Sequence, residues 1–345
     1  MGFDVWNLIA IAGIALLVGG LLSPLETLGW WAGWFGRGGS ELALAEQTRP
    51  EGADEQRHFL VFLTGVHSVS GQTFARREQN LLRELRTRLP DSAVVEVFPY
   101  SVTNRALTGQ RVFGWFWRWA LSMKLSRRTL AGIAGMVINL RNLWQVAVSA
   151  DRRYGPLYNQ GSAELIVGAL VASGYRIGSG MPVTLIGYSG GGQVAVGAAG
   201  HLSEMLACSI RVISIGGVMS SDPGLHGVHR LYHLAGRGDM VQRLSLLFFP
   251  GRWRLVTYSA WNQALAAGRI RHVDLGPMNH TGAGGYLDSA SFLDDSRSYL
   301  QATVDEIARI VDEAEVEAAQ ETAAASTMLT PDSSQHPANL AQGRP

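Results

Sequence analysis

The chain has 345 residues, 47% hydrophobic and 17% charged, so most of it is expected to fold around a large core and extensive disorder is excluded. A formal net charge of +1 gives no overall field that would attract nucleic acid, and no nucleic-acid partner is expected. Cys208 is the single cysteine, which excludes an intramolecular disulfide and leaves no cysteine spacing typical of a zinc site.

The first patterned segment, Val5–Leu22, is apolar except for Asn7. As a helix rising about 1.5 Å per residue it would reach roughly 27 Å, close to the thickness of the hydrocarbon core of a bilayer. Four aromatic residues follow it, as in an aromatic belt at headgroup depth: Trp30, Trp31, Trp34 and Phe35. We therefore expect residues 1–35 to form a single-pass transmembrane anchor with an aromatic interface segment.

A cleaved signal peptide is the alternative for this segment, because Ala43-Leu44-Ala45 resembles a cleavage site. That site lies far beyond the apolar stretch, and Asp4 stands where a signal peptide would carry Lys or Arg, so the anchor is favoured. Positive charge appears only after the span, at Arg37 and Arg49, which favours a main domain in the cytoplasm. Residues 36–56 lack periodicity and are expected to be a linker.

The body of the chain, residues 57–316, alternates between short apolar segments and longer segments with helical spacing. Strands are predicted at His58–Thr64, Ala93–Pro99, Val183–Gly187, Ile210–Ile215, Arg230–Ala235 and Ile270–Leu275. Helices are predicted at Thr73–Leu89, Gly161–Ser173, Gln193–Leu206 and Phe292–Val316. The alternation predicts an α/β domain in which helices cover both faces of a mostly parallel sheet.

The alternation breaks between residues 102 and 158, where tryptophans are interleaved with arginines. We predict an inserted helical cap here, because its apolar run Leu130–Leu140 is too short to span a bilayer. The alternative is a cap whose aromatic and basic surface also contacts a membrane. Residues 317–345 have little apolar periodicity and are predicted to be a disordered tail.

Ser189 follows the third predicted strand, in the sequence Gly187-Tyr188-Ser189-Gly190-Gly191. This spacing is typical of a nucleophile elbow, a sharp strand-to-helix turn that projects a serine hydroxyl out of the sheet. The outer glycines remove side chains where strand and helix approach closely. The alternative is a glycine-rich turn without catalytic function. We predict that Ser189 is a nucleophile.

A serine nucleophile needs a histidine to take its proton and a carboxylate to orient that histidine. Among nine histidines, His280 is favoured because it follows the last predicted strand in a loop that can reach back over the strand ends. Asp239 is favoured as the carboxylate because it follows the preceding strand at the edge where open α/β sheets bind ligands. Asp222 is the competing candidate, and for either residue the alternative is a helix cap or turn former.

With these three residues in the order serine, aspartate, histidine, the chain from about Arg57 to Val311 resembles the α/β-hydrolase fold superfamily of serine esterases and lipases. The resemblance implies an oxyanion hole formed by the backbone N–H groups of Gly190 and Val66. Many family members carry His-Gly in the loop of the second donor, whereas this chain has Thr64-Gly65 with His67 two residues later.

The expected function is that of a membrane-anchored serine hydrolase that cleaves carboxylic esters through an acyl-enzyme on Ser189, with no metal and no cofactor. The anchor and the aromatic cap favour a lipid-like or long-acyl substrate. The same three residues would equally serve an acyltransferase or a thioesterase. A noncatalytic hydrolase-fold module that binds a partner or lipid at a membrane is the alternative from another class. The oligomeric state stays open.

Overall fold

The structure is a computed structural model that describes residues 22–25, 27–29, 31–32, 56–67, 75–100 and 131–329. The strands are β1 (His58–Leu63), β2 (Ser92–Val97), β3 (Val183–Tyr188), β4 (Ile210–Ile215), β5 (Val228–Ala235) and β6 (Ile270–Asp274). The helices are α1 (Arg76–Arg88), α2 (Ala131–Ala150), α3 (Gly155–Ala172), α4 (Gly190–Leu206), α5 (Met240–Phe248), α6 (Ala260–Ala266) and α7 (Tyr299–Leu329). Short 3₁₀ turns lie at Pro223–His226 and Pro250–Arg252.

The six strands form one sheet in the order β2-β1-β3-β4-β5-β6, and every neighbouring pair is parallel. β1, β3 and β4 are buried along their whole length, which is why they are almost continuously apolar instead of alternating with polar residues. The predicted α/β fold, with helices covering a parallel sheet, is confirmed.

Each face of the sheet carries its own hydrophobic core. Phe59, Val61 and Leu63 of β1 point to the face covered by α3 and α4, while Leu60 and Phe62 point to the face covered by α1 and α7. Side chains alternate along a strand with a period of two, so one apolar strand supplies both cores.

The strand order reverses next to β1, because β1 is followed by β2 on one side of the sheet and β3 adds on the other side. Loops that leave neighbouring strands in opposite directions open a crevice at the carboxyl edge of the sheet. The loop after β1 and the turn after β3 flank this crevice, and Ser189 lies in that turn.

The predicted membrane anchor requires a correction. Across the part of the chain that the structure describes, none of the helices is both long enough and apolar enough to cross a bilayer. Within the described residues, the fold is a parallel α/β sheet with flanking helices, and the predicted transmembrane helix is not found among them. The predicted single-pass membrane location, with a cytoplasmic main domain, is not supported. That expectation depended on the apolar length of Val5–Leu22, of which all residues before Leu22 lie outside the described residues.

Two further predicted segments differ in extent from the structure. Of the predicted cap, residues 102–130 lie outside the described residues, and the rest contains α2 and the first turn of α3. Helix α7 runs to Leu329, so its last turns fall in the segment predicted to be disordered. Residues 330–345 lie outside the described residues.

Candidate active site

Ser189 occupies the turn between β3 and α4 with φ 53° and ψ −120°. A positive φ is unfavourable for a residue with a side chain, so the neighbouring structure must hold this turn. The backbone N–H of Ser189 donates to the carbonyl of Ile215 at 3.0 Å, at the end of β4. A Cβ at Gly187 would lie 2.6 Å from the backbone of α4, and one at Gly191 would lie 2.4 Å from the Leu63 carbonyl. Both positions therefore require glycine.

The structure brings Ser189, His280 and Asp239 together at the carboxyl edge of the sheet. Ser189 Oγ lies 2.8 Å from His280 Nε2, and His280 Nδ1 lies 2.9 Å from Asp239 Oδ2. The three residues come from the segments that follow β3, β6 and β5, respectively. Asp239 is fully buried, and Ser189 is 8% exposed.

Asp239 accepts hydrogen bonds at both carboxylate oxygens. Its Oδ1 caps α5 by accepting from the N–H groups of Val241 at 2.8 Å and Gln242 at 3.1 Å. Its Oδ2 faces His280 and accepts from the Tyr286 hydroxyl at 2.7 Å. Burial acts to raise the pKa of Asp239, but the hydrogen bonds from His280 and Tyr286 outweigh it and hold the pKa below its ordinary value. An ionised Asp239 favours the His280 tautomer with the proton on Nδ1, so Nε2 can accept from Ser189.

Asp222, the competing carboxylate, belongs to a different network. It caps the 3₁₀ turn by accepting from Gly224 N–H at 2.8 Å, and it accepts from Gln193 Nε2 at 2.9 Å and from Asn159 Nδ2 at 3.4 Å. Burial raises its pKa in spite of these hydrogen bonds. The structure thus brings Asp239, and not Asp222, to His280.

Two tyrosines that the sequence did not single out support His280 and Asp239. Tyr286 is fully buried, accepts from Gly236 N–H at 2.8 Å and donates to Asp239. Tyr188 donates to the backbone carbonyl of His280 at 2.9 Å, and its ring stacks on the imidazole with centroids 6.0 Å apart. Burial raises the pKa of Tyr188 to about 12, and burial together with Asp239 raises the pKa of Tyr286 further. Both tyrosines therefore stay protonated donors.

A buried carboxylate, Glu78 in the first turn of α1, holds the loop after β1. It accepts from Thr64 Oγ1 at 2.7 and 2.8 Å and from Gly65 N–H at 3.0 Å. His67 Nε2 lies 3.6 Å from Glu78 Oε1. Because Glu78 is fully buried, these contacts fix the path of the loop that contains Val66.

The two predicted oxyanion donors, Gly190 and Val66, are neighbours. A Cβ added to Gly190 would lie 2.8 Å from Val66 Cγ1 and 2.7 Å from Val146 Cγ2 of α2. The Val66 carbonyl accepts from the side chain of Asn142, also on α2, at 2.7 Å. Helix α2 of the predicted cap therefore packs directly against the turn after Ser189.

Two cavities lie at opposite edges of the sheet. A cavity of about 210 Å³ next to Tyr188 is lined by residues that include His67, Arg77, Glu78 and Thr281. A larger, open cavity of about 770 Å³ lies at the amino edge, where Cys208 and Ile210 line it. Because this cavity and Ser189 lie at opposite edges of the sheet, the cavity takes no part in the chemistry of that residue. Within the described ranges, no group of three or more His, Cys, Asp or Glu side chains is placed to hold a metal ion.

Comparison with models of known protein families finds no matching family, and comparison with curated proteins finds no match. The parallel sheet with flanking helices is compatible with an α/β-hydrolase fold. The assignment of the site therefore depends on the fold and on the geometry around Ser189.

Proposed function

We propose that the protein is an α/β-hydrolase that cleaves carboxylic esters through an acyl-enzyme on Ser189. The proposal depends on two distances: Ser189 Oγ lies 2.8 Å from His280 Nε2, and His280 Nδ1 lies 2.9 Å from Asp239 Oδ2. A nucleophile, a base and a residue that orients the base, each within hydrogen-bonding reach of the next, form the arrangement required for nucleophilic acyl transfer.

In the acylation step, His280 Nε2 takes the proton of Ser189 as Oγ attacks the acyl carbon of the ester. The carbonyl oxygen becomes an oxyanion, which the N–H groups of Gly190 and Val66 are proposed to bind. One such donor is typically worth about 3 to 4 kcal/mol in the transition state. When the tetrahedral intermediate collapses, the ester C–O bond breaks and the alcohol leaves with the proton from His280.

Deacylation repeats the same steps with water as the nucleophile. His280 takes a proton from water as the water oxygen attacks the acyl-enzyme, and it returns that proton to Ser189 Oγ as the carboxylic acid leaves. His280 is a cation in both transition states, so the ionised Asp239 stabilises them without taking the proton itself. The reaction consumes one water and yields one alcohol and one acid.

Labelling with a fluorophosphonate probe tests the proposal directly. We expect the wild-type chain to be labelled and Ser189→Ala to be unlabelled, with ester hydrolysis reduced on the order of 10⁴- to 10⁶-fold. Ser203→Ala is the matched control, because Ser203 lies on the same helix α4 but at the end far from the turn. Labelling of Ser189→Ala as strong as that of the wild type would contradict the assignment.

A second pair of variants distinguishes the two carboxylates. Asp239→Asn removes the charge facing His280, and we expect it to lower the hydrolysis rate by about 10⁴-fold. Asp222→Asn changes a buried residue of the separate network and should leave the rate within about threefold of the wild type. If the wild-type chain is neither labelled nor active on esters, the noncatalytic module is the better explanation. Transfer of the acyl group to an added alcohol in preference to water would identify an acyltransferase.

A further inference from the structure

An exposed apolar surface lies beside the candidate active site. It consists of α5 and the segment after it, and we refer to residues 240–258 as the α5 surface. Its exposed hydrophobic side chains are Met240, Val241, Leu244, Leu246, Leu247, Phe248, Trp253, Leu255 and Tyr258. Within α5 itself, only Ser245 is buried. At helical spacing, Met240, Val241, Leu244, Leu247 and Phe248 lie on one face of α5. An apolar helix face normally packs against a core, so the exposure of this one indicates a contact surface.

The α5 surface is a formed part of the fold. Asp239 caps its first turn with Oδ1 while its other oxygen faces His280. In the middle of the helix, Ser245 Oγ accepts from Met219 N–H at 3.1 Å. Trp253 Nε1 donates to the Leu246 carbonyl at 2.6 Å, which folds the following segment back against the helix. The apolar side chains are therefore presented on a supported scaffold next to the Ser189 edge of the sheet.

The charges on this segment are all positive. The sequence from Met240 to Val273 contains no Asp and no Glu. Arg243 and Arg254 are exposed beside the apolar side chains, whereas Arg252 is buried against the ring of Trp261. Next to this surface, Arg237 and Asp274 form an exposed ion pair, with Nε and Oδ2 3.5 Å apart. Apolar side chains bordered by arginines match an interface with an apolar interior and anionic head groups.

We propose that the α5 surface docks onto an anionic phospholipid surface, with apolar side chains such as Leu247 and Leu255 entering the headgroup boundary and Arg243 and Arg254 facing the phosphates. Leu255 is 90% exposed and Leu247 is 69% exposed. A second copy of this chain fits the surface less well, because a two-fold contact would bring the same arginines together with no carboxylate from this segment to pair them. Docking in this way is a peripheral contact and does not depend on the chemistry of Ser189.

Vesicle co-sedimentation of the full chain tests this inference. We expect the protein to bind vesicles of phosphatidylglycerol mixed with phosphatidylcholine more strongly than vesicles of phosphatidylcholine alone. The double variant Leu247→Glu/Leu255→Glu should lower the partition coefficient by about tenfold or more, since it replaces two inserting side chains with anions. Arg243→Gln and Arg254→Gln should each weaken binding to the anionic vesicles by about fivefold.

Ile177→Glu is the matched control, because Ile177 is also an exposed apolar residue but lies at the opposite, amino edge of the sheet. This variant should bind vesicles as the wild type does. Ser189→Ala should also bind normally, so loss of the proposed hydrolase activity and loss of docking are distinguishable. Equal vesicle binding by the wild type and the double variant would overturn the inference. So would a wild-type dimer in sedimentation velocity that the double variant abolishes, because the surface would then bind a second copy.

Discussion

Asp239 serves two structural purposes, and each uses a different carboxylate oxygen. Oδ1 accepts from the first turn of α5, and Oδ2 faces His280. Capping fixes the side-chain rotamer, because a rotation that turned Oδ2 away from His280 would also remove the acceptor from the helix. Asp239 can therefore cap a helix, as expected for an aspartate in a loop, and also orient His280 in the proposed reaction.

Tyr286→Phe tests how strongly the Tyr286 hydroxyl lowers the pKa of Asp239. The Tyr286 hydroxyl is one of the donors that lower the pKa of Asp239, so its removal should raise that pKa. Asp239 then takes up a proton at a higher pH than in the wild type. We expect the acid limb of the pH profile for probe labelling to move to higher pH and kcat/KM to fall by about tenfold.

Tyr158→Phe is the matched control for that variant. Tyr158 is as fully buried as Tyr286, and its hydroxyl donates to the Pro99 carbonyl at 2.5 Å instead of to Asp239. It should lower stability without moving the acid limb. An unchanged acid limb in Tyr286→Phe would show that Tyr286 has a purely structural role.

At the residue scale, the sequence could indicate side chains that carry a local pattern. Ser189 has the elbow spacing, and His280 follows a strand in a glycine-rich loop. Glu78 carries no such signal, because its helix has many charged residues and nothing in the order Arg-Arg-Glu-Gln shows which of them is buried. Tyr286 lies six residues after His280, and its contact with Asp239 exists only once β5 and β6 are side by side. Tertiary packing, which a local sequence pattern does not show, gives Glu78 and Tyr286 their roles.

At the scale of elements, all six strands are predicted to within two residues at each end, because buried strands between polar turns stand out in the sequence. Helix α5 was not predicted, since its nine residues make little more than two turns, too few for a clear helical period. The C-terminal end of α7 was also predicted wrongly, because the helix continues to Leu329 and does not end at Val316. Its Glu317 accepts from Arg211 of β4 at 2.8 Å and from Arg230 of β5 at 2.6 Å, contacts that no local pattern reveals.

Glu317→Gln tests how far this contact stabilises the packing of α7 on the sheet. Arg211 is 2% exposed, and the substitution leaves its buried cation without the charge that compensates it. We expect the free energy of unfolding to fall by about 3 to 5 kcal/mol, measured by urea denaturation. Glu306→Gln on the same helix is the control, because its partner Arg309 is exposed and such pairs contribute up to about 1 kcal/mol. Equal losses in the two variants would contradict this account of Arg211.

At the scale of the whole molecule, two histidines are buried within the sheet. His58 Nε2 lies 2.8 Å from Thr184 Oγ1. His233 contacts Ser214 Oγ at 3.2 Å and Gln242 Oε1 at 3.3 Å. Burial, followed by the nearby cation Arg211, lowers the pKa of His58 to about 3. Burial, followed by Arg252 and then His272, lowers the pKa of His233 to about 3. Both are neutral in the folded chain near neutral pH.

These histidines should make the folded state sensitive to acid. Their ordinary pKa is 6.5, so between pH 6.5 and about 3 the unfolded chain binds protons that the folded chain excludes. Their contribution to stability is fully present above pH 6.5 and is lost as the pH falls toward 3. Each one should contribute a slope of up to about 1.4 kcal/mol per pH unit to the free energy of unfolding. The low pKa of Asp239 acts in the same direction over its own range.

Urea denaturation at pH 6 and at pH 4 separates the histidine contribution from that of the carboxylates. His233→Gln keeps a polar side chain but cannot take up a proton in this range, so its stability should decline less steeply than that of the wild type, by up to about 1.4 kcal/mol per pH unit. His226→Gln is the control, because His226 is exposed in the loop before β5, and it should follow the wild-type slope. If His233→Gln also follows the wild-type slope, then His233 takes up its proton in the folded chain as easily as in the unfolded chain. Burial in the sheet would then not exclude the charge.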